Sequence, residues 1–223
     1  MTLLDGLTLF REDAGPGWEK TTLSLEQRGQ SLVRLVQQFG DSPDAAAKQF
    51  ARDLLVDIEK WKAMCMRERM VNAIQNAPEL VWAAFYGAII ANSDLGKIRA
   101  IMCLKGFGAS VDEESGMRRA KVASSVLRFV YPDDWGVVDW RTLGIRSALR
   151  RCDGDIDRVI RDAFDDDTNG MRKLFDLIDE RTVCEEMEVY RQMRTAAPLS
   201  RAADIDMALF GLSTKVWPFS STS

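Results

Sequence analysis

The order of residues predicts an all-α fold, and three observations carry that expectation. Apolar residues recur at helical spacing through most of the chain. Capping and stop residues punctuate those runs at helix-like lengths. No window alternates polar and apolar residues at period two for long enough to form a sheet strand.

Residues 1–23 are turn-rich, with Asp5-Gly6 and Gly15-Pro16-Gly17, and predict an irregular surface arm. Helical pattern is expected from Ser24, where Ser24 and Gln27 suit a capping box, through Leu32, Leu35, Val36 and Phe39 to a stop at Gly40. Asp41-Ser42-Pro43 opens a long amphipathic segment with Phe50, Leu54, Leu55, Ile58 and Trp61 on one stripe. Its continuation past Lys62 stays helical in propensity, with a break near Arg67. Pro78 suits the first turn of ELVWAAFYGAIIA, a run apolar nearly all round and therefore expected at the centre of the fold. Asn92-Ser93-Asp94 ends it and caps LGKIRAIMCLKGFG. Further helices follow in KVASSVLRF, TLGIRSALRR, DIDRVIRDAF and MRKLFDLIDERTVCEEMEVYRQMR. A last one, AADIDMALFGL, has Ser200 as its expected cap.

This order predicts a two-lobed helical bundle over residues 24–212. A middle lobe of about 94–151 would carry a helix-hairpin-helix element, and residues 24–92 with 155–212 would form the second lobe; 213–223 read as a frayed tail.

Composition narrows the chemistry. The chain of 223 residues contains no histidine, which excludes Ser-His and Cys-His dyads and histidine-ligated zinc. Cys65, Cys103, Cys152 and Cys184 lie too far apart for an iron–sulfur or zinc set and predict buried free thiols in a reducing compartment. No metal and no cofactor is expected. The chain has no apolar run long enough to span a bilayer and no signal-peptide pattern at its start, so a cytoplasmic protein is expected, with a monomer favoured. Net charge is −4, yet residues 97–151 carry eleven bases against six acids, leaving +5 there and −9 elsewhere. Such asymmetry suits a protein that meets a polyanion with one face.

The chemistry-bearing stretch is Leu104–Arg141. Its glycines, in Gly106-Phe107-Gly108 or at Gly116-Met117, can bring main-chain amides close to a phosphate before a helix, or can simply stop a helix. Lys121 falls in the first turn of the next helix, where the positive end of the helix dipole and partial burial disfavour an ammonium. Asp139 follows eighteen residues later, after the apolar run Trp135-Gly136-Val137-Val138. An amine and a carboxylate together suit covalent attack at a sugar C1′ and stabilisation of the charge that develops as a base leaves. The other reading is a solvated lysine and an aspartate that caps the helix beginning at Trp140.

This stretch resembles the helix-hairpin-helix DNA glycosylase superfamily, in which a glycine hairpin leads to a K-[VT]-A helix start and a V-D motif follows about twenty residues after the lysine. Lys121-Val122-Ala123 and Val138-Asp139 match those two ends. The resemblance also points to a glycosylase-like group of uncharacterised function that shares the VAS helix, the V-D-x-R pattern and a late DIDMALFGLS-like helix. It implies an all-helical fold, double-stranded DNA as partner, Lys121 as lyase nucleophile and Asp139 as the carboxylate assisting base loss. The hairpin departs from the family: twelve residues separate Gly108 from Lys121, so the turn is better placed at Gly116-Met117-Arg118, with Gly106 ending the preceding helix. Lys105, Gly106, Gly108, Gly116, Met117, Arg118 and Arg119 are the candidate DNA contacts. Trp135 and Trp140, flanking the aspartate motif, are candidates to stack on an extruded base.

Asp165, Asp167, Asn169, Gly170 and Asp176 fall on calcium-loop positions, but Arg172 and Lys173 interrupt the ligand set, and an acidic helix joint explains them better. The functional expectation is a DNA base-excision glycosylase with lyase capacity. The alternatives are a non-catalytic hairpin module that binds DNA and a helical protein-interaction domain.

Overall fold

The computed structural model describes residues 2–63, 72–107, 120–162, 178–196, 199 and 201–217. They are all-helical, with no strand among them: α1 (Leu3–Phe39), α2 (Ala45–Ala63), a 3-10 turn (Ala73–Gln75), α3 (Pro78–Ile90), α4 (Asp94–Met102), α5 (Ala120–Val130), α6 (Trp140–Arg151), α7 (Ile156–Asp162), α8 (Glu180–Ala196) and α9 (Ala202–Val216). None of these helices is long and apolar enough to cross a membrane.

The expected N-terminal arm is instead the first half of α1. Thr2 caps the helix and accepts from the Asp5 amide, and the helix then runs without interruption to Phe39, so no new start occurs at Ser24. Packing overrides the local turn residues here. Gly6 and Gly211 let α1 and α9 touch backbone to backbone: a Cβ on Gly211 would lie 2.0 Å from the Gly6 carbonyl oxygen. Farther along, a Cβ on Gly29 would lie 2.0 Å from the Phe129 carbonyl oxygen, so α1 also rests directly on α5.

The central helix is α5, not α3. Every residue from Ala120 to Val130 is buried, and the helix packs against α1, α2, α4 and α8. α3 instead leaves Leu80 and Ile90 exposed at 44% and 55%, because its neighbours α2, α4 and α1 do not enclose it. Among the described residues one apolar cluster extends from Leu7 on α1 to Trp217 after α9. The expected tail from Ser213 is correspondingly shorter: Ser213 to Val216 complete α9, and Trp217 is buried after it. Three described cysteines carry free thiols, but only Cys152 is buried; Cys103 is exposed and Cys184 half-buried.

Two loops are pinned by side chains. Glu59 on α2 accepts from the Ala73 amide at 2.6 Å, and Asn76 both donates to the Lys105 carbonyl and accepts from its amide. At the start of α9, the Ala202 and Ala203 amides donate to the Asp133 and Pro132 carbonyls, which satisfies helix-terminal donors and ties the turn after α5 to α9.

The glycine contacts give a stability test with opposite signs. Gly211→Ala is expected to lose about 1–3 kcal/mol in urea unfolding, because α1 must move off α9. Gly87→Ala, in mid-helix with its nearest obstacle, Ala100 Cβ, at an ordinary 3.5 Å, is expected to gain about 0.5–1 kcal/mol.

Candidate functional site

The Val-Asp motif lies in an extended segment, residues 135–139, that has no regular secondary structure of its own. Several of its main-chain groups are instead satisfied by side chains from the surrounding helices. The Val137 amide donates to Asp206 Oδ2 on α9 at 2.6 Å, and its carbonyl accepts from the Tyr190 hydroxyl on α8 at 3.1 Å. The Val138 amide donates to Ser124 Oγ on α5 at 3.1 Å, and the same hydroxyl donates to the Lys121 carbonyl at 2.7 Å. Gly136 is required where it sits, since a Cβ there would lie 2.7 Å from the Tyr190 ring. The segment therefore has little freedom to shift.

That clamp delivers Asp139 to the N-terminus of α6. Asp139 Oδ1 accepts from the Arg141 amide at 2.9 Å and from the Thr142 amide at 3.1 Å, while Thr142 Oγ1 accepts from the Asp139 amide, a reciprocal capping box. Its other oxygen, Oδ2, is 3.3 Å from Lys62 Nζ at the end of α2. The capping role read from the sequence is thus present, and an ammonium is added to it.

Lys121 occupies the expected first turn of α5 and is buried. The hydrogen-bond chain from its carbonyl through Ser124 to the Val138 amide couples it to the residue before Asp139. The structure thus brings the two ends of the sequence motif together through the main chain. Lys62, which the sequence did not suggest, is the lysine whose ammonium pairs with Asp139 across 77 residues.

Behind Asp139 lies a buried charge network. Arg128 on α5 has no exposure and pairs with Glu26 on α1 at 2.8 Å and with Asp206 at 3.5 Å. Arg201 bridges Glu26 at 2.7 Å and Asp204 at 2.6 Å. Burial pushes the Asp206 carboxyl up to about 7; Arg128, the Val137 amide and Lys62 oppose that rise, and Asp139 adds to it. Burial likewise pushes the Tyr190 hydroxyl well above its ordinary value, which keeps it a neutral donor to Val137. A second pair, half-buried Arg146 and buried Glu186, lies between α6 and α8, and burial raises the Glu186 carboxyl.

Other sequence candidates fall differently. Gly106 has φ +94°, in the left-handed region, but the space its missing Cβ leaves is filled from inside by Asn72 and Glu59, so it serves a tight internal turn after α4. Lys105 beside it is exposed. Gly108, Gly116, Met117, Arg118 and Arg119 lie outside the described residues, as do Cys65 and the acidic loop Asp165–Asp176. Trp135 is fully buried and presents no open ring face for stacking. Trp140 stays half-buried, 5.6 Å from the Trp217 ring, with the Arg141 guanidinium 4.7 Å from its own ring centre.

Among the described residues, much of the basic charge of residues 97–151 is paired or buried within the protein. Arg128 and Arg141 are buried, with Arg141 donating to the Trp217 carbonyl at 2.7 Å, and Arg146, Arg99 and Lys97 face Glu186, Glu180 and Asp94. Among the described bases of that stretch, Lys105, Arg150 and Arg151 are exposed.

Among the described residues no cluster of acids and cysteines could hold a metal ion. No protein-family model matches the chain, and neither the curated proteins nor the solved structures contain a match.

The raised Asp206 carboxyl has a measurable consequence. Its folded value lies above its unfolded value of 3.8, so the stability it contributes is complete below about pH 4 and is lost as pH rises through about 7. Asp206→Asn keeps an acceptor for the Val137 amide but cannot ionise. Its melting temperature is expected to fall less than that of the wild type between about pH 4 and 8 in thermal scans. Parallel profiles for the two proteins would refute the assignment.

Proposed function

We propose that the protein is a DNA base-excision glycosylase of the helix-hairpin-helix type, with Asp139 as the carboxylate that assists departure of the base. The observation that carries this reading is the setting of Asp139: a carboxylate 13% exposed, aimed by two main-chain amides at the start of α6 and paired with an ammonium. A base leaving its sugar builds positive charge at C1′, and a rigid, partly desolvated carboxylate is the group that stabilises it. The absence of histidine leaves carboxylates, amines, hydroxyls and thiols to do this work. The target base would have to be flipped from the duplex to reach a site this enclosed, and the half-buried Trp140, next to Asp139, is a surface on which it can stack.

A second reading, a helix-hairpin-helix DNA-binding module without chemistry, is favoured by one observation. Both carboxylate oxygens of Asp139 already have partners within the protein.

Duplexes carrying one of a panel of modified or damaged bases separate the two readings. The glycosylase reading expects base release by the wild-type protein and its loss in Asp139→Asn. Asn caps a helix about as well as Asp, so the melting temperature of that variant should stay near wild type, whereas Asp139→Ala should lose about 1 kcal/mol of capping. Salt-sensitive retardation of the duplexes with no base released on any of them would favour the binding module. Undiminished release by Asp139→Asn would overturn the role given to Asp139.

A further inference from the structure

We infer that Lys62 is the amine nucleophile of this site. The inference rests on the base-excision reading above and names a residue outside the sequence motif. A nucleophile is recognised by a base within hydrogen-bond reach that is itself oriented by a third group. Lys62 meets both conditions: its Nζ lies 3.3 Å from Asp139 Oδ2, and the Arg141 and Thr142 amides hold the opposite oxygen of that carboxylate. Access agrees with geometry. The Lys62 side chain retains 17% exposure and Asp139 13%, so both members of the pair keep some contact with solvent. Lys121 starts a helix buried along its whole length, and is itself only 8% exposed.

The chemistry balances with these two groups alone. Asp139 takes a proton from the Lys62 ammonium, and the freed amine attacks C1′. The N–C1′ bond forms as the glycosidic C1′–N bond breaks, and the departing base carries off the electron pair and takes the proton back from Asp139. One of the two N–H protons on the attached nitrogen passes to O4′ as the sugar ring opens, and the other stays on nitrogen, which leaves a protonated imine between Lys62 and C1′. At an abasic site the same amine condenses with the C1′ aldehyde and expels water.

The test is borohydride trapping of the full chain on a duplex with a single abasic site, where hydride addition to the imine carbon makes the link permanent. Proteolysis and mass spectrometry of the wild-type adduct then locate the modified lysine without any variant. The expected result is a sugar remnant on Lys62. Trapping should fall roughly tenfold or more in Lys62→Arg, which keeps a cation beside Asp139, and persist in Lys121→Arg. An adduct on Lys121 or any other amine, equal trapping by Lys62→Arg, or no adduct on the wild-type protein overturns the inference. Base release is scored separately on the modified-base duplexes. Release without a Lys62 adduct would sink this inference and leave the glycosylase reading standing, whereas no release on any of them would remove that reading itself.

Discussion

The buried guanidinium of Arg128 is the constraint on which the arrangement of the site depends. A charge with no exposure to water costs several kcal/mol to desolvate and is tolerated only when closely paired. Glu26 on α1 and Asp206 on α9 supply that pairing, so three helices must meet at one point. The meeting requires α1 to lie against the α5 backbone, which Gly29, one turn beyond Glu26, permits by leaving room for the Phe129 carbonyl. Arg201 then shares Glu26 with Arg128 and closes the network toward Asp204. The apolar helices alone would tolerate small slides past one another, but an interlocked set of charges in low dielectric tolerates far less.

Asp206 carries this constraint to the surface. One of its oxygens faces Arg128 and also accepts the Val137 amide, so the position of the extended segment is tied to that of the buried charge. Tyr190 and Ser124 hold the same segment from two other helices. A carboxylate meant to stabilise transient positive charge must already be in place when that charge appears, and rigid support from several elements provides this. Asp139 is supported in that way, as the proposed role requires, and it caps α6. Its two oxygens have different partners: Oδ1 caps, and Oδ2 faces Lys62.

Local pattern was a good guide where helices are bounded by their own chemistry. Ser93 caps α4 as its position suggests, Pro78 opens α3, and Asp139 caps α6. It misled where a distant surface decides the outcome. Gly6 and Gly15-Pro16-Gly17 read as turn residues, yet the first half of α1 is held helical against α9 at the far end of the described chain, where Gly6 meets Gly211. The apolar run of α3 suggested a central helix, while α5, with Lys121, Ser124, Ser125 and Arg128 among its apolar residues, is the one fully enclosed. Polar side chains that find partners inside a fold look the same in sequence as those that face water. For the same reason a count of basic residues over 97–151 does not reveal how much of that charge is paired within the protein, as Lys97, Arg99, Arg128 and Arg146 are.

By itself, the sequence determined the helical class, most helix boundaries and the Lys121 and Val138-Asp139 ends of the motif, because helical period, capping and short spacing are local properties. Only the tertiary structure decided that Lys62 faces Asp139 and that Asp206 holds Val137. These pairs are 77 and 69 residues apart along the chain. Contacts of that span follow from which helices pack together, and here packing is governed by close glycine crossings and buried charge pairs that no spacing rule encodes.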